Sequence, residues 1–275
     1  MDLDYHFIYK KKVLEMKHKI YLLFLVFIIC ESPLFGQQKY TFSQFFSETA
    51  DFVKQPGNWQ GSDLLKIGLI GAGTFLVMET VDQPIRTMVL KDPGYYKTAP
   101  MVFGRMWGEL YSPVVLFSGF ATYSLIANDI ETRKIAYEIG QASLYAGAIN
   151  YLLKVAIGRS RPYMNEGNTS FHPFNSLFNI DDQSMPGGHS TAAFVISTVL
   201  SRNAKPTWLK VLAYLPAVLT FVSRVYQDQH WTSDDLLGAA FGYYIATWVV
   251  DQHENNNKSQ VSVNSAFPLS IRIAF

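Results

Sequence analysis

The feature that most constrains this sequence is a series of apolar segments at helical period, each ending in a short break where glycine, proline or charged residues gather. The segments cover about residues 64 to 79, 112 to 127, 134 to 157, 190 to 201, 208 to 224 and 234 to 250. Alternating strand patterns are nearly absent before the end of the chain. Helices of this kind bury their apolar faces by packing on one another. The expected fold class is therefore all-α, a helical bundle of about six core helices, and any site built from the breaks would lie at helix ends on one side. Ser112-Pro113 reads as an N-cap and first turn, and Thr207 as the cap before "WLKVLAY".

Of the 275 residues, 49% are hydrophobic, 15% aromatic and 16% charged, enough apolar material for one sizeable core. A net charge of +1 gives no basic excess, which argues against a nucleic-acid partner, so any anion site must be local. A mean hydropathy of +0.07 is low for a chain that crosses a bilayer six times. The segment from 134 carries Glu138, Gln141 and Asn150, so spanning stays open at this point. Arg133-Lys134 and Arg202 with Lys205 suit cytoplasmic loops, which would leave residues 158 to 189 and 225 to 233 outside.

Lys17, His18 and Lys19 precede "IYLLFLVFIIC", an apolar run too short for a comfortable span, and this reads as an export signal. Cleavage after Gly36 is the expectation, with Met16 a candidate start. Cys30 follows the bulky Ile29, against a lipoprotein signal, and as the only cysteine it excludes an internal disulfide. The expected organisation is a leader over 1–36, a polar stretch over 37–62, a helical domain over 63–251 and a tail over 252–275. The tail "VSVNSAFPLSIRIAF" alternates like a barrel strand, yet one strand makes no barrel, so it is read as exposed or docked.

Three breaks between segments carry chemistry. In "KVAIGRSRP", Gly158 and Pro162 let the chain fold back, so Lys154 and Arg161 can point into one pocket or simply end a basic helix. In "SMPGGHS", Gly187 and Gly188 bring backbone N–H groups to a helix start, where an anion is favoured; a plain tight turn is the alternative. The third stretch runs from Ser223-Arg224 to His230 and Asp234. If a helix starts near Thr232 or Ser233, Asp234 can reach back to fix one nitrogen of His230, while Asp235 points elsewhere.

Together these stretches resemble the type 2 phosphatidic acid phosphatase and vanadium haloperoxidase superfamily, whose signature is Lys, six residues, Arg-Pro; Pro-Ser-Gly-His; and Ser-Arg, five residues, His, three residues, Asp. The match covers about residues 145 to 245 and departs at Gly187, where the superfamily has serine. The resemblance implies a phosphatase without metal or other cofactor. His230 is the nucleophile, Asp234 its orienting acid and His189 the general acid. Lys154, Arg161, Arg224 and the backbone at Gly187 and Gly188 hold phosphate. No Cys/His or acid cluster with metal-ligand spacing is found in the sequence.

The expected substrate is a phosphorylated lipid or a small phosphate ester, and a membrane is the expected partner. The expected location is the inner membrane or periplasm, with the site facing the periplasm. Rival readings are a periplasmic broad-specificity acid phosphatase, a haloperoxidase, and a non-catalytic phosphate- or lipid-binding membrane scaffold. Residues 163 to 182 are too long for an idle connection and are read as a lid. Within it, Phe171, Phe174 and Phe178 either meet a lipid chain or pack the loop down, and His172 is read as an exposed loop histidine.

Overall fold

The structure, a computed structural model, describes residues 40–257 apart from residue 178 and the side chains of 176 and 255–257. The leader with Cys30, the alternating tail and Phe178 lie outside the described residues. The helices are α1 (Phe42–Lys54), α2 (Gly61–Thr80), α3 (Asp82–Val89), α4 (Ala99–Trp107), α5 (Tyr111–Ala127), α6 (Ile130–Ile157), α7 (Gly188–Asn203), α8 (Thr207–Leu212), α9 (Leu215–Tyr226) and α10 (Thr232–Asn257). Among the described residues the only extended pairing is an isolated bridge between Arg159 and Phe171. The all-α expectation holds.

Each apolar segment falls on helix, the one from 208 being divided between α8 and α9. Helices α1, α3 and α4, of 13, 8 and 9 residues, lie outside the expected apolar segments. Helix α1 lies inside the stretch read as polar, yet its Phe45 and Phe52 pack on the core. The proposed caps also shift. Helix α5 starts at Tyr111, before Ser112, whose Oγ donates instead to the Met106 carbonyl at 2.5 Å and ties the α4–α5 bend. Thr207 is the first residue of α8 rather than its cap.

Helix α10 lies against α7 and α6, α5 covers α6, and α9 pairs with α4. Ile139, Val195, Val199, Val249 and Val250 are fully buried where α6, α7 and α10 meet. The polar residues of α6 do not interrupt a water-facing surface; they turn inward and find partners. Gln141 donates to Glu48 at 2.9 Å, Asn150 donates to Thr191 Oγ1 at 2.9 Å, and Glu138 accepts from Asn203 at 2.5 Å. His253 of α10 sits between Glu48, at 3.2 Å, and Glu138, at 3.1 Å, with no side-chain exposure. Burial disfavours a charge there, but the two carboxylates outweigh it and raise the His253 pKa.

Among the described residues, two stretches are long and apolar enough to cross a membrane, Gly61–Thr80 and Thr207–Tyr226, each with mean hydropathy 1.4. The pair α4 and α5, bent by 71°, would add a third if it counts as one span. Leu64, Leu65, Leu69, Phe75 and Leu76 of α2 face outward, as do Trp208 and Val211 of α8. So much exposed apolar surface marks a membrane-associated protein.

Replacing His253 with leucine leaves two buried carboxylates without their cation. We expect a loss of about 3–5 kcal/mol, read as a lower unfolding midpoint in detergent. In the unaltered protein the raised His253 pKa makes its contribution complete below about pH 6.5 and lost as pH climbs through the raised value.

Candidate active site

Each break between core helices delivers one part of the site. Helix α6 ends at Gly158, whose φ of +62° and close approach to the His172 carbonyl leave no room for a side chain. That ending places Lys154 on the last turn, 8% exposed, donating to the carbonyls of Gln183 at 2.5 Å and Ser184 at 3.4 Å. Three residues after the glycine, Arg161 reaches the Gln229 side-chain oxygen at 3.0 Å and its carbonyl at 3.3 Å. Arg224, on the last turn of α9, meets the same Gln229 oxygen at 3.5 Å, and its buried Nε has no hydrogen-bond partner.

Gly188 opens α7, and a Cβ on it would stand 3.6 Å from Lys154 Cε. Its N–H, at an open helix start, is available to an anion. The Gly187 N–H is not, because it donates to the Asp234 carbonyl at 2.8 Å; the expectation that both glycines offer donors is corrected to one. His189 follows, its Nε2 3.5 Å from Glu109 Oε2 in the bend between α4 and α5. Burial draws the His189 pKa down, and the Glu109 contact opposes this.

His230 lies in the turn between α9 and α10, 3% exposed. Its pKa falls well below the usual value, because burial disfavours charge and Lys154, Arg161, Arg224 and His189 add to the effect. Burial and then Arg161 push the Lys154 ammonium down to about 7. The sequence-assigned residues are thus brought within one another's electrostatic reach at one end of the bundle. One expected contact is longer than foreseen. Asp234 Oδ2 stands 3.9 Å from His230 Nδ1, and that nitrogen has no hydrogen-bond partner.

Asp234 is engaged elsewhere. Its Oδ2 accepts from Ser184 Oγ at 2.5 Å and from the Trp231 N–H at 2.9 Å, and its Oδ1 accepts from Arg159 at 2.6 Å. Arg159, with no side-chain exposure, also donates to Asp82 at 2.8 Å, to Ser233 Oγ at 2.7 Å and to the Asn168 carbonyl at 3.0 Å, and it stacks on Trp231 at 5.4 Å. Asp235 turns to Ser190 rather than to His230: it is fully buried and accepts from Ser190 Oγ at 2.8 Å.

Sequence reasoning missed Arg159, Asp82, Glu109 and Asp235. Arg159 stands in the quoted "GRSRP", but nothing local separates it from Arg161. Asp82 and Glu109 lie far away in sequence, outside every motif.

The loop over residues 163 to 182 carries a metal-capable group that spacing did not suggest. Ligand atoms of Glu166, His172 and Asp182 lie within 4.8 Å of one another. All three contact Ser160 Oγ, at 2.7, 3.2 and 3.1 Å. The His172 side chain is 44% exposed, as a loop histidine would be.

Arg159→Leu should cost about 3–5 kcal/mol, because it leaves two buried carboxylates unpaired. Arg159→Lys should recover only part of this, since one ammonium cannot copy the planar fork. Denaturant unfolding of both variants checks the order.

The chain is 28% identical over 199 residues to a lipid A 1-phosphatase of Rhizobium etli, covering 68% of this chain and 82% of the relative. It is 36% identical over 73 residues to a lipid A 1-phosphatase of Porphyromonas gingivalis, 25% of this chain and 16% of that one. It is 29% identical over 121 residues to an undecaprenyl-diphosphatase of Sulfolobus acidocaldarius, 42% of this chain and 53% of that one. The PAP2 superfamily matches residues 138–258, which include Lys154, Arg161, His189, Arg224, His230 and Asp234, and through that region this chain is similar to the PAP2 superfamily.

Proposed function

We propose that the chain is a lipid-phosphate phosphatase that works through a phosphohistidine on the extracytoplasmic side of a membrane. The observation that carries this reading is electrostatic. Lys154, Arg161 and Arg224 converge beside a buried His230 imidazole, and burial together with those cations lowers the His230 pKa. A neutral imidazole among cations is a nucleophile waiting beside an anion site.

In the first step His230 forms a P–N bond as the P–O bond to the leaving group breaks, and His189 gives that oxygen its proton. In the second step His189 takes a proton from water, the water oxygen bonds to phosphorus and the P–N bond breaks. Lys154, Arg161, Arg224 and the Gly188 N–H hold the phosphoryl oxygens as charge moves. Asp234, 3.9 Å away, stabilises the imidazolium and accepts a hydrogen bond from its Nδ1–H once the ring turns toward it. Arg159 and Ser184 keep that carboxylate in place.

Three observations support a lipid substrate. The curated relatives are named for lipid-linked phosphates or diphosphates. Outward apolar helices favour a membrane, and the lid exposes Phe171, Phe174, Leu177 and Ile180 near the site. Charge supports this side of the membrane: Arg133 and Lys134 start α6 while Lys154 ends it, and Arg202 ends α7 while His189 starts it. The basic loop residues thus sit at the end opposite the site, which suits a cytoplasmic end and an extracytoplasmic site.

A panel of phosphate esters, including lipid phosphates, tests the activity. His230→Ala should abolish turnover and the label trapped from a labelled phosphate ester by acid quench, yet keep some phosphate binding, whereas Arg224→Ala should weaken both. Label trapped by His230→Ala would remove the nucleophile assignment. Because Glu109 supports the proton on His189, Glu109→Gln should move the high-pH limb of the kcat/KM profile to lower pH; an unmoved limb would separate Glu109 from the acid.

A further inference from the structure

Gly187, where the superfamily motif has serine, is explained by a neighbour rather than by its backbone. Its φ of −66° is open to any residue. The space is not: a Cβ at 187 would run into Asp235 Oδ1 inside contact distance and lie 3.0 Å from Asp235 Cα. The Asp235 carboxyl therefore occupies the volume a side chain at 187 would need.

That carboxyl is fully buried, and only one of its oxygens is satisfied. Ser190 Oγ donates to Oδ1 at 2.8 Å, while Oδ2 has no hydrogen-bond partner among the described residues. Ser190 is in the first turn of α7, so the contact ties Asp235 to the helix start that offers the Gly188 N–H. A buried, unsatisfied oxygen is costly and demands a partner. Burial and then the charge of Asp234 raise the Asp235 pKa well above the usual carboxylate range, which favours the protonated carboxyl, a form with a proton to donate.

We propose that Asp235 stands in for the absent serine: its carboxyl fills the place beside Gly187 and turns Oδ2 to the bound phosphoryl group as a hydrogen-bond donor. Gly187 and Asp235 are then a matched pair, and only one of the two positions can carry the phosphate-facing side chain. This rests on the phosphatase reading above.

The test is a double-mutant cycle of Gly187→Ser and Asp235→Ala, with Asp235→Asn beside it, in the full chain in detergent. Each variant is read by inhibition with inorganic phosphate and by unfolding temperature. Asp235→Ala should weaken phosphate inhibition about tenfold or more, as for a lost hydrogen bond to a charged group. Asp235→Asn, which keeps a donor, should stay within about threefold of the unaltered protein. Gly187→Ser alone should lower the unfolding temperature and the activity. Adding Asp235→Ala should restore both, because the hydroxyl then has the space. Unchanged phosphate inhibition in Asp235→Ala, equal losses in Asp235→Asn and Asp235→Ala, or a double variant no better than Gly187→Ser would each overturn the proposal. If the unaltered protein cleaves no phosphate ester and ignores phosphate, the phosphatase reading falls and the donor role with it. The unfolding temperatures still decide whether the two positions are matched.

Discussion

The buried guanidinium of Arg159 is the constraint on which the rest of the structure depends. It joins Asp82, after α2, to Asp234, in the first turn of α10, with Ser233 between them and the Trp231 ring against its face. Burying such charges is expensive, and the cost is met only when geometry is good and every donor finds a partner. Here the planar fork meets two carboxylates, a hydroxyl and the Asn168 carbonyl. The arrangement fixes where α10 starts, and so where the His230 turn lies relative to the end of α6. Arg86 braces the same turn from outside, gripping Asp228 at 2.8 and 2.9 Å.

Beside this neutralised cluster lies one left electropositive. Arg159 is matched by two acids, whereas Lys154 is held by carbonyl oxygens and Arg161 and Arg224 share the amide oxygen of Gln229. Amide and carbonyl dipoles orient cations without cancelling their charge. The contrast explains how a carboxylate as close as Asp234 can coexist with an anion pocket: Arg159 and Ser184 absorb its charge, and the field over His230 stays positive.

The same economy of buried polarity recurs at the interior cluster of Glu48, Glu138 and His253, where α1, α6 and α10 meet. Polar residues in the middle of apolar helices argue from sequence for exposure to water. Folded, they are interior pairs that set the register between helices, and the outward faces of α2 and α8 stay apolar.

The sequence by itself determined the helical class, the order of the core helices and the identity of the residues at their ends. Apolar periodicity, Gly158 and the Pro186-Gly187-Gly188 turn are local signals, because helix formation and termination are decided within a few residues. The His230 stretch was legible for the same reason, since four residues span about one helical turn. Tertiary structure alone decided which arginine of "GRSRP" is interior, that Asp82 and Glu109 join the site, that Asp234 faces Arg159 rather than touching His230, and that Asp235 fills the space at Gly187. Those outcomes depend on segments as far apart as residues 82 and 234 being pressed together. Which buried group finds which partner is a property of the packed whole, and no window of sequence carries it.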